Sequence, residues 1–288
     1  MIKLGRSIGY VTTLHEQGIL EICFSRPERM NATTAAMKRE LIDTMLQVQM
    51  DDGVRVVVFT AQGRAFIAGD DLKDYRNDPE AATSLLPSLP AKHGDAIGTY
   101  EGLRNVSQAL NASVQNLDKL TIAAINGYCV QTGLSLALSC DFRIAAADAR
   151  LGSATLRFGL LPDEGGHFLV TRLIGVARAM DFFMRKRIVT AADALALGLV
   201  HEVVEPHRLR DSAFALASEL AQGPQLAMRL LKRALYAVPD LTFAQAGDDV
   251  ATKTAITDHH PDAREGQAAF LEKRAPRFNA DLEGKKPG

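Results

Sequence analysis

Two adjacent carboxylates stand in a glycine-rich turn just past the middle of the chain. The stretch Gly159-Leu160-Leu161-Pro162-Asp163-Glu164-Gly165-Gly166-His167 comes directly before a helical pattern. A carboxylate among glycines and apolar side chains loses solvent, which raises its pKa toward the range useful to a general base. Asp163 would equally serve as the cap of the following helix. The turn therefore offers either an acid–base group or a helix start. For His167, at the start of the helical pattern, a structural role is favoured over a catalytic one.

A second stretch could hold a developing negative charge. Asn126-Gly127-Tyr128-Cys129-Val130-Gln131-Thr132-Gly133 runs from a buried strand pattern into a helical one. The first N–H groups of a helix lack internal acceptors, and the helix dipole favours an anion there. The stretch does not match the glycine patterns of dinucleotide or nucleoside triphosphate sites. It indicates an oxyanion site only weakly by itself.

A third stretch could bring a ligand close to the backbone. Ala65-Phe66-Ile67-Ala68-Gly69-Asp70-Asp71-Leu72-Lys73 follows a strand pattern at residues 54–60. The small residues Ala68 and Gly69 permit a close approach, and a turn here could aim a peptide N–H into a pocket at the end of the strand. An ordinary strand-to-loop turn fits these residues as well.

Strand and helix patterns alternate around these stretches. A hairpin at residues 10–24 is followed by a helical face of Met37, Leu41, Met45 and Val48, and then by an apolar strand at 54–60, which implies parallel pairing. We also predict a loop or broken helix at 71–98, a helix at 105–117, strands at 121–125, 141–145, 150–152 and 199–204, and mainly helices after residue 166. The predicted fold class is α/β, with a core over residues 1–205 and a helical region over residues 206–288.

The composition excludes several classes of protein. The 288 residues carry 33 Lys+Arg and 34 Asp+Glu, so the net charge of -1 gives no overall attraction to nucleic acid or acidic lipid. No apolar run approaches the ~18 residues of a membrane span, and the first residues lack the apolar segment of a signal peptide, which predicts a cytoplasmic location. The three cysteines have no metal-site spacing and are expected to be buried thiols.

Together these stretches resemble the crotonase superfamily, also called the enoyl-CoA hydratase/isomerase family. The similarity extends over nearly the whole chain, and its pieces occur in the family's order and spacing. The pieces are Arg26-Pro27-Glu28, Asn31-Ala32, Ala68-Gly69, Asp71-Leu72, Asn126-Gly127, Cys140-Asp141, Gly159 with Pro162, Gly165-Gly166, Arg172-Leu173-Ile174-Gly175, residues 191–200, Glu265-Gly266, Ala269-Phe270 and Lys273-Arg274. The resemblance implies a spiral of ββα units with a C-terminal helical region that supports trimerisation, often as a dimer of trimers.

The resemblance also implies an acyl-CoA thioester substrate whose carbonyl oxygen is held by two backbone N–H groups. By position these donors are Ala68 and Thr132. No metal, flavin or nicotinamide is implied, and coenzyme A enters only as part of the substrate. Phe270 is expected near a subunit boundary. The residues expected to bind substrate are Arg26, Ala68, Asp70, Leu72, Gly133 and Phe270.

The chain departs from the family's hydratases in its acid residues. Ser135 and Thr155 stand where those hydratases carry two glutamates, and neither hydroxyl is a competent base near neutral pH without an activating partner. Gln131 and Thr132 stand where the family usually has glycines. A positive φ at a β-branched residue is costly, so either φ is negative at Thr132 or the donor geometry has shifted.

The turn at 162–166 is similar to sequences of isomerases. Pro162-Asp163-Glu164-Gly165-Gly166 resembles the Pro-Asp-x-Gly-Gly stretch of phenylacetate-pathway enoyl-CoA isomerases, whose aspartate is the acid/base. Glutamate before Gly-Gly is similar to the peroxisomal Δ3,Δ2-enoyl-CoA isomerases. We therefore predict an isomerase with Asp163 as the base and Glu164 as the rival candidate.

Other activities remain open from sequence. A hydratase or dehydratase with a non-standard acid/base is the first alternative. A hydrolase or dehalogenase in which Asp163 attacks as a nucleophile is disfavoured, because a chain with no Trp and 6% aromatic residues has few side chains for an aromatic cage. A non-catalytic acyl-CoA binder is the alternative outside enzymes, and a basic surface for RNA is less favoured than an ordinary solvated face.

Overall fold

A computed structural model describes residues 2–71, 95–280 and 282 of the chain. The predicted loop at 71–98 therefore falls mostly outside the described residues, apart from its two ends. In the part that is described, none of the helices combines the length and the apolar character needed to cross a membrane.

A seven-stranded sheet forms the centre of the molecule. Its first strands pair antiparallel, which confirms the predicted hairpin, and every pairing from β3 onward is parallel. The order is β1-β2-β3-β4-β6-β8-β11. The central strands are buried on both faces, as their mainly apolar sequences predict. The strands are β1 (Gly5–Arg6), β2 (Tyr10–His15), β3 (Ile19–Phe24), β4 (Val56–Ala61), β6 (Leu120–Ile125), β8 (Phe142–Ala146) and β11 (Glu202–Val204).

A second sheet of four short strands lies beside the ends of the large one. It consists of β5 (Ala65–Ile67), β7 (Tyr128–Val130), β9 (Arg150–Gly152) and β10 (Ile188–Thr190) in the order β10-β9-β7-β5. The strands β4, β6 and β8 of the large sheet are each followed by one of these short strands and then by helical structure. These are the ββα units that the family resemblance implies.

Ten helices are found in the described residues. The first begins at a Thr34 cap, whose side chain accepts from the amide of Met37 at 3.2 Å. The helices are α1 (Ala35–Met50), α2 (Ala96–Gly102), α3 (Gln108–Gln115), α4 (Thr132–Ser139), α5 (Gly166–Met184), α6 (Ala191–Leu197), α7 (Leu209–Gln222), α8 (Gln225–Ala237), α9 (Phe243–Asp258) and α10 (Pro261–Glu272). Helix α7 packs against β4, β6 and β8, whereas α8, α9 and α10 mainly contact one another.

Candidate active site

One cavity collects the three stretches that carry candidate chemistry. It has a volume of about 400 Å³ and lies where the turn after β5, the start of α4 and the turn before α5 meet. Its remaining wall is formed by residues 153–161, which include a short helical turn. Most of the lining side chains are apolar. Those of polar or acidic character are Asp70, Gln131, Thr132, Ser135, Ser153, Thr155, Asp163 and Glu164.

Asp163 and Glu164 both line this cavity but differ in burial. Glu164 is 7% exposed, whereas Asp163 is half-buried on the cavity wall. Their carbonyl groups are fixed by α3, since Gln108 Nε2 donates to Asp163 O at 2.9 Å and Asn111 Nδ2 donates to Glu164 O at 2.8 Å. The turn then enters α5 through Gly165, whose φ of 99° suits glycine. The two acids are thus held firmly at the start of a helix.

Sequence analysis missed the cation that contacts these acids, Lys38. Its side chain is buried, and its ammonium lies 2.8 Å from Asp70 Oδ1 and 2.5 Å from Glu164 Oε1. It also donates to Ser107 Oγ at 2.9 Å. The signal available in sequence was its position on α1, three residues before Leu41 on the apolar face, where a charged side chain must find buried partners.

The carboxylates of Asp70 and Glu164 have opposite pKa shifts. Burial raises the pKa of Glu164, and the neighbouring Asp70 charge adds to this effect against the opposing influence of Lys38. Burial acts in the same direction on Asp70, but the Lys38 ammonium and the hydroxyls of Thr33 and Thr132 outweigh it and hold the pKa of Asp70 below its usual value. Asp70 is therefore ionised near neutral pH, whereas Glu164 is the acid of this pair that more readily keeps a proton.

The start of α4 carries one candidate oxyanion donor. Thr132 is the first residue of the helix, and its amide N–H finds no acceptor among the described residues. The positive φ in this turn belongs to Gln131, at 55°, and not to Thr132. The β-branched residue therefore avoids the costly conformation, and its N–H stays available.

The assignment of Ala68 as the second donor is wrong. Its amide donates to the carbonyl of Met30 at 3.1 Å, because the turn after β5 pairs with the segment before α1. Thr33 and Asp70 form a parallel β-bridge in this pairing, in which the Thr33 amide donates to the carbonyl of Gly69 and the Asp71 amide donates to the carbonyl of Thr33. In a parallel bridge of this kind the amide of the middle residue, Asp70, points away from Thr33.

The Asp70 amide is the better candidate for the second donor. It has no acceptor among the residues that the structure describes. Thr132 Oγ1 donates to Asp70 Oδ1 at 2.8 Å, which places the two candidate donor residues side by side. The predicted pair of backbone donors is therefore better assigned to Thr132 and Asp70.

Gln131 links three walls of the cavity. Its backbone, with φ 55° and ψ −118°, lies outside the regions favoured by residues with a side chain. With the amide oriented to satisfy both ends, its oxygen accepts from the amides of Ala154 at 3.1 Å and Thr155 at 2.8 Å, and its nitrogen donates to Ser153 Oγ at 3.2 Å. Its stem also lies against Gly69, where an added Cβ would come within 3.2 Å. Since ψ of residue 131 orients the next peptide group, this clamp fixes the direction of the Thr132 N–H.

Ser135 and Thr155, which replace the hydratase glutamates, both line the cavity. Thr155 Oγ1 lies 3.3 Å from Ser153 Oγ, and Ser135 is 4% exposed beside Gly166. No further acid lies at these two positions. His167 is exposed, with Nδ1 3.0 Å from the carbonyl of Pro162, which fits the structural role favoured from sequence.

The other predicted substrate-binding residues are dispersed. Arg26 contacts the carbonyl of Ala32 and, at 3.0 Å, the carboxylate of Asp71, so it supports the turn after β5 rather than lining the cavity. Gly133 lies at the start of α4, but it does not line the cavity either. Phe270 is 83% exposed on α10 and borders a different surface cavity. Leu72 lies outside the described residues.

Comparison with known proteins agrees with this architecture. The family model for enoyl-CoA hydratase/isomerase matches residues 15–281. The 1,2-epoxyphenylacetyl-CoA isomerase of Escherichia coli K12 is 34% identical over 266 residues, which cover 91% of this chain and 95% of that protein. The crotonyl-CoA hydratase of Syntrophomonas wolfei is 30% identical over 264 residues, covering 91% and 95%. The structure of an enoyl-CoA hydratase from Bacillus anthracis superposes with a TM-score of 0.84 at 29% identity, covering 94% of this chain and 99% of that one.

Proposed function

Because the chain belongs to the enoyl-CoA hydratase/isomerase family, whose members act on acyl-CoA thioesters, we propose that it is an enoyl-CoA isomerase with Asp163 as its acid/base. The observation that carries the proposal is the different placement of the two adjacent acids. The Glu164 carboxylate is directed into the interior toward Lys38, whereas Asp163 stays half-buried on the wall of the cavity. Asp163 is therefore the acid placed to meet a substrate.

The proposed reaction moves one proton between two carbons. In a 3-enoyl-CoA, Asp163 removes a proton from C2, and the electrons of that C–H bond pass toward the thioester oxygen to give a dienolate. Returning the proton to C4 forms the bond between C2 and C3 and yields the conjugated 2-enoyl-CoA. One carboxylate suffices for both steps, and no water is consumed.

The backbone amides of Thr132 and Asp70 would hold the oxygen on which the charge develops. Both lie at the cavity, and the hydrogen bond between their side chains keeps them adjacent. Donors fixed before the reaction stabilise an enolate without reorganisation, and loss of one such donor typically raises the barrier by ~3 kcal/mol. Placement of Thr132 at the start of a helix adds the favourable helix dipole.

Asp163→Asn tests the proposal. Removing the acid/base should lower the rate of conversion of 3-hexenoyl-CoA to 2-hexenoyl-CoA by ~10²–10⁴-fold and leave binding of a saturated acyl-CoA nearly unchanged. The rate is followed by the absorbance of the conjugated thioester. Asp148→Asn, at an exposed turn away from the cavity, is the matched control and should keep wild-type activity.

Two other results would change the assignment. Full activity in Asp163→Asn with loss in Glu164→Gln would make Glu164 the base and leave the double-bond shift intact. Efficient hydration of crotonyl-CoA by the wild type, with no isomerisation of 3-hexenoyl-CoA, would favour the hydratase alternative and contradict the proposed mechanism.

A further inference from the structure

The cavity already contains several acids where the proposed reaction adds a negative charge. Asp70, Asp163 and Glu164 all line it. Like charges in a site of low polarity destabilise one another, and an enolate formed beside an ionised Asp70 would meet this repulsion directly. A compensating positive charge is needed close to Asp70.

Lys38 places such a charge between the two turns that carry the proposed reaction. Its ammonium contacts the carboxylate of Asp70, which also accepts from Thr132 Oγ1 at 2.8 Å and from Thr33 Oγ1 at 2.7 Å. On its other side it contacts Glu164, the residue next to Asp163. One buried cation is thus linked to both proposed oxyanion donors and to the turn of the proposed base.

The partners of Lys38 come from distant parts of the chain. Asp70 is 32 residues and Glu164 is 126 residues away in sequence. Without the ammonium, the buried carboxylate of Glu164 and the partly exposed carboxylate of Asp70 would lose the cation that lies between them, and they would separate or one of them would take up a proton. Either response moves the oxyanion donors relative to the base, or changes the charge around them.

We propose that Lys38 is a positioning residue of this reaction: its ammonium holds the Asp70 and Glu164 turns at the required spacing and balances their charge while the enolate forms. The inference rests on the proposed acid–base function of the cavity. Lys38 is fully buried and does not line the cavity, so it acts through its two partners and not by touching the substrate.

Lys38→Met, which keeps the unbranched stem of the side chain and removes the charged amine, tests the inference. A misplaced donor and base should lower kcat by about 100-fold, and the KM should change little because the ground-state thioester is uncharged. Two reactions are measured: isomerisation of 3-hexenoyl-CoA, and exchange of the C2 protons of butanoyl-CoA in D₂O, followed by NMR. Exchange needs an enolate and a base but no shift of a double bond.

Two further variants separate this role from a general loss of stability. Lys38→Met/Glu164→Gln removes the unpaired acid together with the ammonium, and it should recover kcat by about tenfold over Lys38→Met, because the charge balance returns. Lys232→Met removes another buried ammonium, paired with Asp141 at 2.8 Å and distant from the cavity lining. It should lower the melting temperature and leave kcat unchanged.

The possible results are distinct. Unchanged kcat in Lys38→Met overturns the inference, as does a loss of kcat that the double variant does not recover. If Lys38→Met does not fold, the double variant is compared directly with Glu164→Gln, and equal kcat in those two proteins overturns the inference. Exchange by the wild type without isomerisation contradicts the proposed function alone, and Lys38 is then judged on the exchange rates. A wild type that catalyses neither reaction contradicts both proposals.

Discussion

Two buried lysines of this molecule stand in different electrostatic surroundings. The Lys38 ammonium has two carboxylates within 2.8 Å, whereas the ammonium of Lys119 lies 4.0 Å from the carboxylate of Asp52, the one acid that pairs with it among the described residues. Burial, followed by repulsion from Arg229, lowers the pKa of Lys119 from 10.5 to about 8. The charge of Lys119 therefore lowers the stability of the fold at neutral pH.

The destabilisation caused by the charge of Lys119 should appear as a pH dependence of the free energy of unfolding, which replacement of Lys119 removes. Below pH 8 the lysine is charged in both folded and unfolded chains, and the folded state bears the burial cost. Between pH 8 and 10.5 the folded state releases the proton first, so the wild type gains stability, on the order of 3 kcal/mol in total. In Lys119→Met this gain should be absent when urea unfolding is measured at pH 7, 9 and 10.5. An identical pH dependence in the two proteins would contradict the prediction.

Residue types predicted part of the site, and spatial pairing determined the rest. Asp163, Glu164 and Thr132 follow from carboxylates beside glycines and from a helix start, which are local features. The partners of Lys38 could not be predicted, because they are brought to it by separate parts of the fold. Ala68 was wrongly assigned because the direction of its amide depends on pairing with Met30, which no local pattern reveals.

At the level of elements, α4 and β5 approach each other closely beside the site. A Cβ added at Gly133 would lie 2.3 Å from the carbonyl oxygen of Ile67. Any larger residue would push the start of α4 away from the turn that carries Asp70. The two proposed donors therefore depend on a contact that only glycine permits.

Gly133→Ala should lower the free energy of unfolding by ~1–3 kcal/mol. It should also reduce isomerase activity, by at least as much as the loss of folded protein accounts for, because the two donors are displaced. Denaturant unfolding and the 3-hexenoyl-CoA assay measure the two effects. Gly247→Ala is the matched control, because an added Cβ there meets nothing within 4 Å and the residue lies inside α9. That change should stabilise the protein by ~0.5–1 kcal/mol without altering activity. A Gly133→Ala protein as active and stable as the wild type would refute the argument.

The long elements could be predicted from sequence, whereas most of the short strands of the second sheet could not. β4 and β6 are apolar apart from one threonine each, and α1 repeats its apolar residues with the helical period, so their types were evident. β5, β7 and β10 contain three residues each, too few to show a period of two. Of the second sheet only β9, at residues 150–152, was predicted, and β5 and β7 were missed although they lead directly into the cavity.

At the scale of the whole molecule, the C-terminal helices expose large apolar side chains. Phe243 is 96% exposed and Phe270 is 83% exposed. A chain rarely leaves such surfaces in water, so they are suited to contact with other copies. The exposed apolar residues of α8, α9 and α10 are Leu231, Leu235, Tyr236, Phe243, Val250, Ile256, Phe270 and Leu271.

These surfaces favour association through the helical region, and the family resemblance implies that the assembly is a trimer or a hexamer, which we therefore predict. Phe270→Asp should weaken association, as measured by light scattering at micromolar concentration. Met50→Asp, at an equally exposed position at the end of α1, should not. A wild type that is monomeric in this measurement would contradict the prediction.

The conformation of Gln131 also restricts which substitutions this site can accept. Glycine adopts φ 55° and ψ −118° at little cost, whereas glutamine there costs about 1–3 kcal/mol of strain, which its bonds to residues 153–155 offset. In a chain whose 153–155 segment took a different path, a change from glycine to glutamine would bring the strain and none of the bonds. Glutamine at position 131 is therefore tolerated only while the 153–155 segment keeps its present path, and a substitution that moves this segment should be accepted more readily when position 131 is changed to glycine.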